Sequence, residues 1–423
     1  MAAANRTPTP NRPTAVLVDA YSTGNFLPPA FDRLGVDVVH VRSTPEPIAG
    51  MLAPDLGAYR SSLVCGDPAA TAARLAALDP IAVGAGQEPG VPLADELSER
   101  LGLPTNGTAL SAARRDKFEM IEALRRAGVR CADQVRASDA ADAVAWAERR
   151  GAYPVVVKPL ASSGTDGVEI CADAGQVRDA AEAVLGSRTV YGEPNTAVLV
   201  QSYLAGTEYV VDMVCCRGAR YTCGIWRSQK RLLGTRNTYD LELLVAPEED
   251  VVADLIAYVG GALDALGIDH GPAHAEVIVT ERGPTLIEVG ARLAGHLDPG
   301  FHDECLGGNQ ADLTALAYTS PETFLRERAG RRYTRRLAAG VYASPTEQDG
   351  VVERIDWTVV KEIENLPGVY GVLLKLREGD RIRPTVDLRT STMRVYLRAG
   401  TEEAMARDYR LVRELKDRVF QVG

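Results

Sequence analysis

The sequence has no cysteine pair at C-x-x-C spacing; its seven cysteines stand scattered at 65, 131, 171, 215, 216, 223 and 305. That excludes a zinc knuckle and argues against a disulfide framework, leaving reduced thiols that serve mostly as small core residues. No apolar stretch approaches the ~20 residues of a membrane span. Nor does the segment Met1–Pro13, rich in Pro, Thr, Ala and Asn, contain the apolar core of a secretory leader. It is expected to be a flexible tail, and a cytoplasmic location follows by default. Positive charge is in deficit, with 47 Lys and Arg against 57 Asp and Glu for a formal charge of −10. A chain of that sign has no general attraction to nucleic acid or to an anionic membrane, so small molecules are the expected ligands. No G-x-x-x-x-G-K-[ST] occurs, which excludes a P-loop nucleotidase.

What is present is ordinary globular composition: 423 residues, 46% hydrophobic and 25% charged, with 39 glycines. At ~100–200 residues per domain this is a chain of two to four domains. From Ala15 onward the short apolar runs AVLVDA, VDVVHV, SSLVCG and IAVGAG alternate with amphipathic stretches at Leu27 to Leu34 and after Asp67. That rhythm predicts βαβ units and a parallel open sheet over roughly residues 14–108. The glycines of VGAGQEPG fall as G-x-G-x-x-x-G after a late strand, which reads as a plain strand-to-helix turn and not a dinucleotide fingerprint.

A second region opens with a helix in which Phe118, Ile121, Leu124 and Val129 form a stripe ended by Gly128, followed by a polar helix from Ala140 to Arg149. PVVVKPLASSGTDGVEI then predicts a strand, a Gly/Ser loop and a second strand. Further strands are expected at TAVLVQSYL, TEYVVDMVCC, HAEVIVT and PTLIEV, with an amphipathic helix at Asp250 to Leu266. After Thr319 the run LRERAGRRYTRR is expected to be a helix with a solvated basic face. Residues from Gly340 to Leu397 predict an α+β tail that ends in a helix from Thr401 to Phe420.

Two clusters carry candidate chemistry. Lys158, followed by Ser162, Ser163, Gly164 and Gly167, offers one ammonium and a small-residue loop whose N–H groups approach a polyanion closely. Taken alone, the same segment also suits a simple glycine-rich turn. In HAEVIVTERGPTLIEVGARLAG, strand alternation puts His274, Glu276 and Ile278 on one face, and Leu286, Glu288, Gly290 and Arg292 on one face if the extended geometry continues. A hairpin around Glu281 to Pro284 would bring Glu276 beside Glu288, a pair of hard oxygen ligands suited to Mg²⁺, or else exposed strand glutamates steadied by Arg282 or Arg292. His274 and His296 flank this region and either orient an amino group or shuttle a proton, or are simply packed. Trp226, Arg227 and Lys230 follow a strand that should border the cleft, so they either shape or charge the substrate pocket or, the reading favoured, lie in a solvated loop.

The order of these pieces carries more than any one of them. Lys117, Lys158 with its loop, VLVQSYLAGTEYVV and the Glu276/Glu288 pair with Arg292 resemble the ATP-grasp superfamily over roughly residues 110–310, and AGVR, GPAHAEV and LIEVGARLAGH resemble its L-amino-acid ligase branch. The resemblance implies an α/β and α+β multidomain ATP-grasp fold. Its parts would be an N-terminal Rossmann-like preATP-grasp domain at 14–112, an ATP-grasp domain at 113–320 with a lid subdomain about 130–203, and a C-terminal α+β domain at 321–423. It further implies that Lys117 and Lys158 contact ATP phosphates, that residues 161–168 form the lid loop, and that Gln201, Ser202, Tyr203 and Leu204 meet adenine. Glu208 would bind ribose, and Glu276 and Glu288 would hold Mg²⁺, or Mn²⁺ in its place. The family often has Asn two residues after the second Glu, where this chain has Gly290, and an acidic residue where it has Gln201.

The implied activity is an ATP-dependent ligase. It would activate an amino-acid carboxylate as acyl phosphate and pass it to the amine of a second amino acid or amine, with Arg292 stabilising the oxyanion and His274, Arg292 and His296 near substrate. Two alternatives stay open: another ATP-grasp carboxylate–amine ligase of specialised or nucleotide metabolism, or a non-catalytic ATP-binding regulator. The superfamily also suggests a homodimer through a terminal domain.

Overall fold

The structure is a computed structural model. It describes residues 12–423 apart from 49, 162–166, 190, 191, 193, 234 and 235, with only the backbone described at 232, 233, 236 and 237. The expected N-terminal tail falls almost wholly outside the described residues, as do Ser162, Ser163 and Gly164.

The first strands, β1 (Thr14–Val18), β2 (Asp37–Arg42), β3 (Ser61–Val64) and β4 (Pro80–Ala85), form the expected parallel sheet in the order β3-β2-β1-β4. β1 is buried at every position, as befits an inner strand covered on both faces. Helices α1 (Leu27–Arg33), α2 (Pro68–Ala76) and α3 (Val91–Arg100) connect the strands, each with proline in its first turn where no amide bond is lost. The strand order reverses between β1 and β4, so the crevice at their carboxyl ends is where such a sheet presents ligand-facing residues. The chain leaves β4 through Gln87 and Glu88 at that crevice.

Helix α4 (Lys117–Arg126) is followed by a second, antiparallel sheet. Its strands β5 (Gln134–Ala137), β6 (Val155–Pro159), β7 (Glu169–Cys171) and β8 (Val198–Ser202) lie in the order β5-β8-β6-β7. Helices α5 (Ala140–Arg150) and α6 (Ala174–Leu185) pack Ala143, Ala147, Val177 and Ala181 onto Val155, Val157 and Val200.

The largest sheet has eight strands. β9 (Thr207–Cys216), β10 (Ala219–Leu233), β11 (Arg236–Leu244), β12 (Gly271–Thr280) and β13 (Gly283–Gly290) are joined by β14 (Ala338–Ala343), β16 (Val369–Leu374) and β18 (Met393–Ala399) of the C-terminal region. The order is β13-β12-β9-β10-β11-β14-β18-β16, while β15 (Gly350–Ile355), β17 (Arg381–Ile382) and β19 (Phe420–Val422) make a small separate sheet. One face of the large sheet buries Val211, Met213, Ala275, Val277, Leu286 and Val289 against Leu255, Val259 and Leu263 of α7 (Val251–Ala265). Because strand side chains alternate, the opposite face carries the polar residues of the site.

Four expectations need correction. Trp226, Arg227 and Lys230 lie inside β10, not in a loop, and Trp226 is fully buried. The basic run is helical only at its start, in Pro321–Glu327, because the Gly330 turn, in the left-handed region, ends it. The final helix spans Glu402–Leu415, and the chain then returns as β19 beside β15. Leu286 does not share a face with Glu288: the register shifts so that Leu286 pairs with Val277 while Glu288 pairs with Glu276, a β-bulge at Ile287 that turns Leu286 to the core. Among the described residues no helix is long and apolar enough to cross a membrane.

One buried pair ties the first sheet to the large one. Arg114 is fully buried, donates to Asp95 Oδ2 of α3 at 2.9 and 3.1 Å, and donates to the Leu266 carbonyl after α7 at 2.8 Å. Removing one partner leaves the other as an uncompensated buried charge. Arg114→Ala is therefore expected to cost ~3–5 kcal/mol in denaturant unfolding; a loss within ~0.5 kcal/mol, as for a surface change, would refute the role.

Candidate active site

A cleft lies between the second sheet and the polar face of the large one, with apolar walls from Val156, Ile170 and Ile278 and an edge along Gln201 to Leu204. Gln201 and Ser202 are turned inward and held: Gln201 donates to Gln134 at 2.9 Å, and Ser202 N–H bonds the Asp133 carbonyl at 2.8 Å. Tyr203 and Leu204, beyond the strand end, are the more open part of that edge. Below them Glu208, buried at the start of β9, accepts from Lys230 Nζ at 2.7 Å and from Tyr239 OH at 2.5 Å.

Deeper in the cleft the hairpin of β12 and β13 sets Glu276 directly opposite Glu288. Lys117, the first residue of α4, is placed there by three hydrogen bonds: Asp116 caps the helix by accepting from Phe118 and Glu119 N–H, and Lys117 N–H donates to the Leu160 carbonyl just past β6. Its ammonium pairs with Glu288. Burial raises the Glu276 carboxyl above its ordinary pKa, and the neighbouring Glu288 adds to that. Glu288 is itself held below the ordinary value, because Lys117 outweighs burial. Lys158, on β6, is buried beside Lys117 and has no ion-pair partner among the described residues. Burial first, and Lys117 second, lower its pKa to about 8. Gly167, at the far end of the small-residue segment, has φ of +65°, which suits glycine alone without strain.

Arg292 follows the hairpin and is fixed on two sides. Its Nε lies 3.3 Å from Glu88 Oε2 of the first sheet's crevice, and its Nη1 donates to the Leu293 carbonyl at 3.0 Å. Gly290 explains how Glu88 gets there. A Cβ at position 290 would stand 3.0 Å from Glu88 Oε2 and 3.1 Å from Arg292 Nε, so the bare glycine leaves room for the carboxylate of another segment. Glu88 was not singled out from sequence; the available signal is an acidic residue directly after a strand at the switch point.

Further along the same sheet face, His274 Nδ1 lies 2.7 Å from Asp212 Oδ1 and its Nε2 lies 3.8 Å from Glu276. His296 stands between Glu242, 3.2 Å from Nδ1, and Asp212, 3.4 Å from Nε2. Burial alone would lower the His296 pKa, but these two carboxylates raise it to about 9. Asp212 is held well below the carboxylate range despite its burial, because His274 and His296 both face it. His302 stacks on His296 and is pushed down to about 4 by burial and that neighbour. Ser228, opposite Glu242 on β10, and His302 each bury a polar atom, Oγ and Nε2, with no hydrogen-bond partner among the described residues. Asp212, Glu242, Tyr239 and His302 were also missed; in Asp212 the signal was legible as the strand alternation Glu208, Val210, Asp212.

Two outcomes follow. Gly290→Asn fills the space of Glu88, so turnover is expected to fall at least ~10-fold, and Glu88→Ala in that background to recover part of it; a silent Gly290→Asn would show that the close approach does not matter. For His296, the folded pKa of about 9 exceeds the unfolded ~6.5. The stability it contributes is therefore full below ~6.5 and lost as pH rises through 9. The gap in melting temperature between wild type and His296→Gln should narrow from pH ~6.5 to ~9, and a constant gap would contradict the pairing.

Comparison with known proteins agrees with this geometry. The ATP-grasp domain family matches residues 151–299. Dapdiamide A synthase of Enterobacter agglomerans is 36% identical over 388 residues, covering 90% of each chain. The crystal structure of an L-amino acid ligase from Bacillus licheniformis superposes with a TM-score of 0.74 at 21% identity, covering 98% of this chain and 99% of the other. The biotin carboxylase domain of a 2-oxoglutarate carboxylase from Hydrogenobacter thermophilus, solved with MgADP, gives a TM-score of 0.64 at 15% identity over 98% of this chain and 91% of that one. With a curated relative matched along nine-tenths of both chains, a shared fold, and the lysines and carboxylates gathered in one cleft, this chain belongs to the ATP-grasp ligases, in their L-amino-acid ligase branch.

Proposed function

We propose that the protein is an ADP-forming ligase that activates the carboxylate of one amino acid with ATP and joins it to the amine of a second amino acid or amine. The observation that carries this is Lys158: a buried ammonium with no carboxylate of its own among the described residues, beside Lys117 and opening onto the same cleft as the Glu276/Glu288 pair. A buried cation of that kind is satisfied by an anion from outside the chain. The apolar walls at Val156, Ile170 and Ile278 suit a purine, Glu208 beside the edge strand suits ribose hydroxyls, and the two lysines suit phosphates.

The residues present also fit Mg²⁺. Glu276 and Glu288 face each other from adjacent strands, and the Glu276 pKa is raised by burial first and by the Glu288 charge second, a repulsion that a divalent cation would relieve. Bound there, Mg²⁺ supplies charge neutralisation to the transferring phosphoryl group. The chain's own residues do the rest. Lys117 and Lys158 orient the polyphosphate while a substrate carboxylate oxygen displaces ADP, giving an acyl phosphate. The amine then attacks the acyl carbon, phosphate leaves, and the amine's proton is released. Arg292, fixed by Glu88 and the Leu293 carbonyl, is the guanidinium assigned to the developing oxyanion. The amino-acid end of the cleft is assigned to the row of His274, Asp212, Ser228, Glu242 and His296, whose unmet polar atoms ask for a hydrogen-bonding ligand. Dapdiamide A synthase and the L-amino acid ligase, by their names, support amide formation between amino acids.

The test is release of ADP and phosphate from MgATP across single and paired amino acids, with mass spectra of each stimulated mixture. A pair that stimulates release and yields a condensed product is expected; ATP binding that no acid or amine turns into hydrolysis would defeat the ligase reading. In the active mixture Arg292→Ala should lower kcat ~10²–10³-fold with ATP affinity little changed, and near-normal turnover would remove Arg292 from the chemistry.

A further inference from the structure

One wall of the nucleotide cleft comes from a distant part of the chain. Leu388, in the connection between β17 and β18, lines the cleft together with Lys158, Tyr239, Glu276 and Glu288. The turn that carries it is tightly bonded within itself. Asp387 Oδ1 accepts from Thr390 N–H at 2.8 Å, Thr390 Oγ1 accepts from Val386 N–H at 2.9 Å, and Thr385 exchanges bonds with Thr346, its N–H reaching the Thr346 carbonyl at 2.8 Å and its Oγ1 accepting the Thr346 N–H at 2.9 Å. Such a turn has a shape of its own but needs an anchor to hold it over the cleft.

That anchor is Lys375, directly after β16. Its Nζ donates to the Leu388 carbonyl at 2.6 Å and to Ser391 Oγ, and its own N–H bonds the Thr392 carbonyl at 3.0 Å. No carboxylate is paired with this ammonium among the described residues, and the charged groups that face it are Arg394 and Asp387. Burial, with Arg394 adding to it, lowers its pKa to about 7. A half-buried lysine whose donors are used on one carbonyl and one hydroxyl of a turn is a costly way to fill space, since an apolar side chain of the same length carries no desolvation penalty. Its return is position: both bonds end on the turn that presents Leu388. On the far side of Leu388, Arg389 packs beside Gly50 of the N-terminal region, where a Cβ would stand 2.5 Å from Arg389 Nη2. The turn thus bridges the cleft to the first sheet's loops.

We propose that the turn at 385–392 is a fixed cover of the nucleotide cleft, with Leu388 in contact with bound ATP and Lys375 as the positioning residue that holds it there. The proposal rests on ATP as the occupant of the cleft. It is tested by direct calorimetric titration of MgATP into wild type, Lys375→Met, Leu388→Ala, the double variant and Lys375→Arg, without amino-acid substrates. Each single variant is expected to bind ATP about tenfold more weakly, the double no more weakly than either single, and Lys375→Arg, which keeps two donors, to recover most of the loss. In turnover assays the same variants should raise KM for ATP more than they lower kcat. Single variants that bind as wild type, or losses that multiply to ~100-fold in the double, would overturn it, the latter because Lys375 would then act elsewhere than through Leu388. Should Lys375→Met fail to fold, Leu388→Ala alone decides, since unchanged ATP binding there removes the contact. Failure of the wild type to bind ATP would instead remove the nucleotide from the cleft, and both assignments with it.

Discussion

Two carboxylates that repel each other sit opposite one another on adjacent strands, and the register that puts them there governs the rest of the site. Glu276 faces Glu288 because Val277 and Leu286 pair on the other side of the hairpin and are buried in the central core. A slip of one residue would turn those apolar side chains to the cleft and the glutamates to the core, so core packing fixes the charge arrangement. The bulge at Ile287 is what lets both demands be met at once. Lys117, delivered by a capped helix start, offsets the repulsion on one side only, which leaves Glu276 as the unsettled partner.

The second dependence is between regions far apart in sequence. Glu88 and Arg292 are 204 positions apart, yet the carboxylate sits against the guanidinium because residue 290 has no side chain. A glycine there is usually accounted for by backbone freedom, but Gly290 is not among the positive-φ glycines of this chain. Its requirement is space. The space left at Gly290 is taken by a carboxylate from the N-terminal crevice, which holds Arg292 in place.

Much of this was legible in the sequence, for definable reasons. The parallel N-terminal sheet, the hairpin, and the facing of Glu276 and Glu288 follow from period-two alternation and strand order, which are local properties. Lys117, Lys158 and Glu208 could be picked because the order in which they occur resembles that of the ATP-grasp superfamily. For Glu88, Asp212 and Glu242 the local signal was not enough, since their meaning lies in partners on other elements: Asp212 becomes a site residue only when β9 pairs with β12 and brings His274 beside it. Trp226 was misplaced because β10 runs for 15 residues, longer than the usual ~5–6, and its polar second half reads as loop. The Leu286 error came from assuming unbroken alternation, which a bulge violates without any mark in composition.

Charge along the cleft explains why nucleotide and divalent cation belong together. At the phosphate end Lys117 and Lys158 stand beside Glu276 and Glu288, while at the far end His274 and His296 stand against Asp212 and Glu242. The charges of the cleft are thus near balance, with burial and Lys117 pushing Lys158 toward its neutral form and burial and Glu288 pushing Glu276 toward protonation. A polyanion alone would settle the lysines and worsen the carboxylates; a divalent cation alone would do the reverse. A nucleotide carrying its divalent cation would bring both charges at once, so under the function proposed above it suits this charge pattern better than either component alone. At the far end the histidines already face the carboxylates, and among the described residues Ser228 Oγ and His302 Nε2 have no hydrogen-bond partner. Under the function proposed above, that division suits a polyanion at the lysine end and a ligand rich in hydrogen-bonding groups at the histidine end, with Arg292, held by Glu88, the group proposed to receive the charge that develops when the two react.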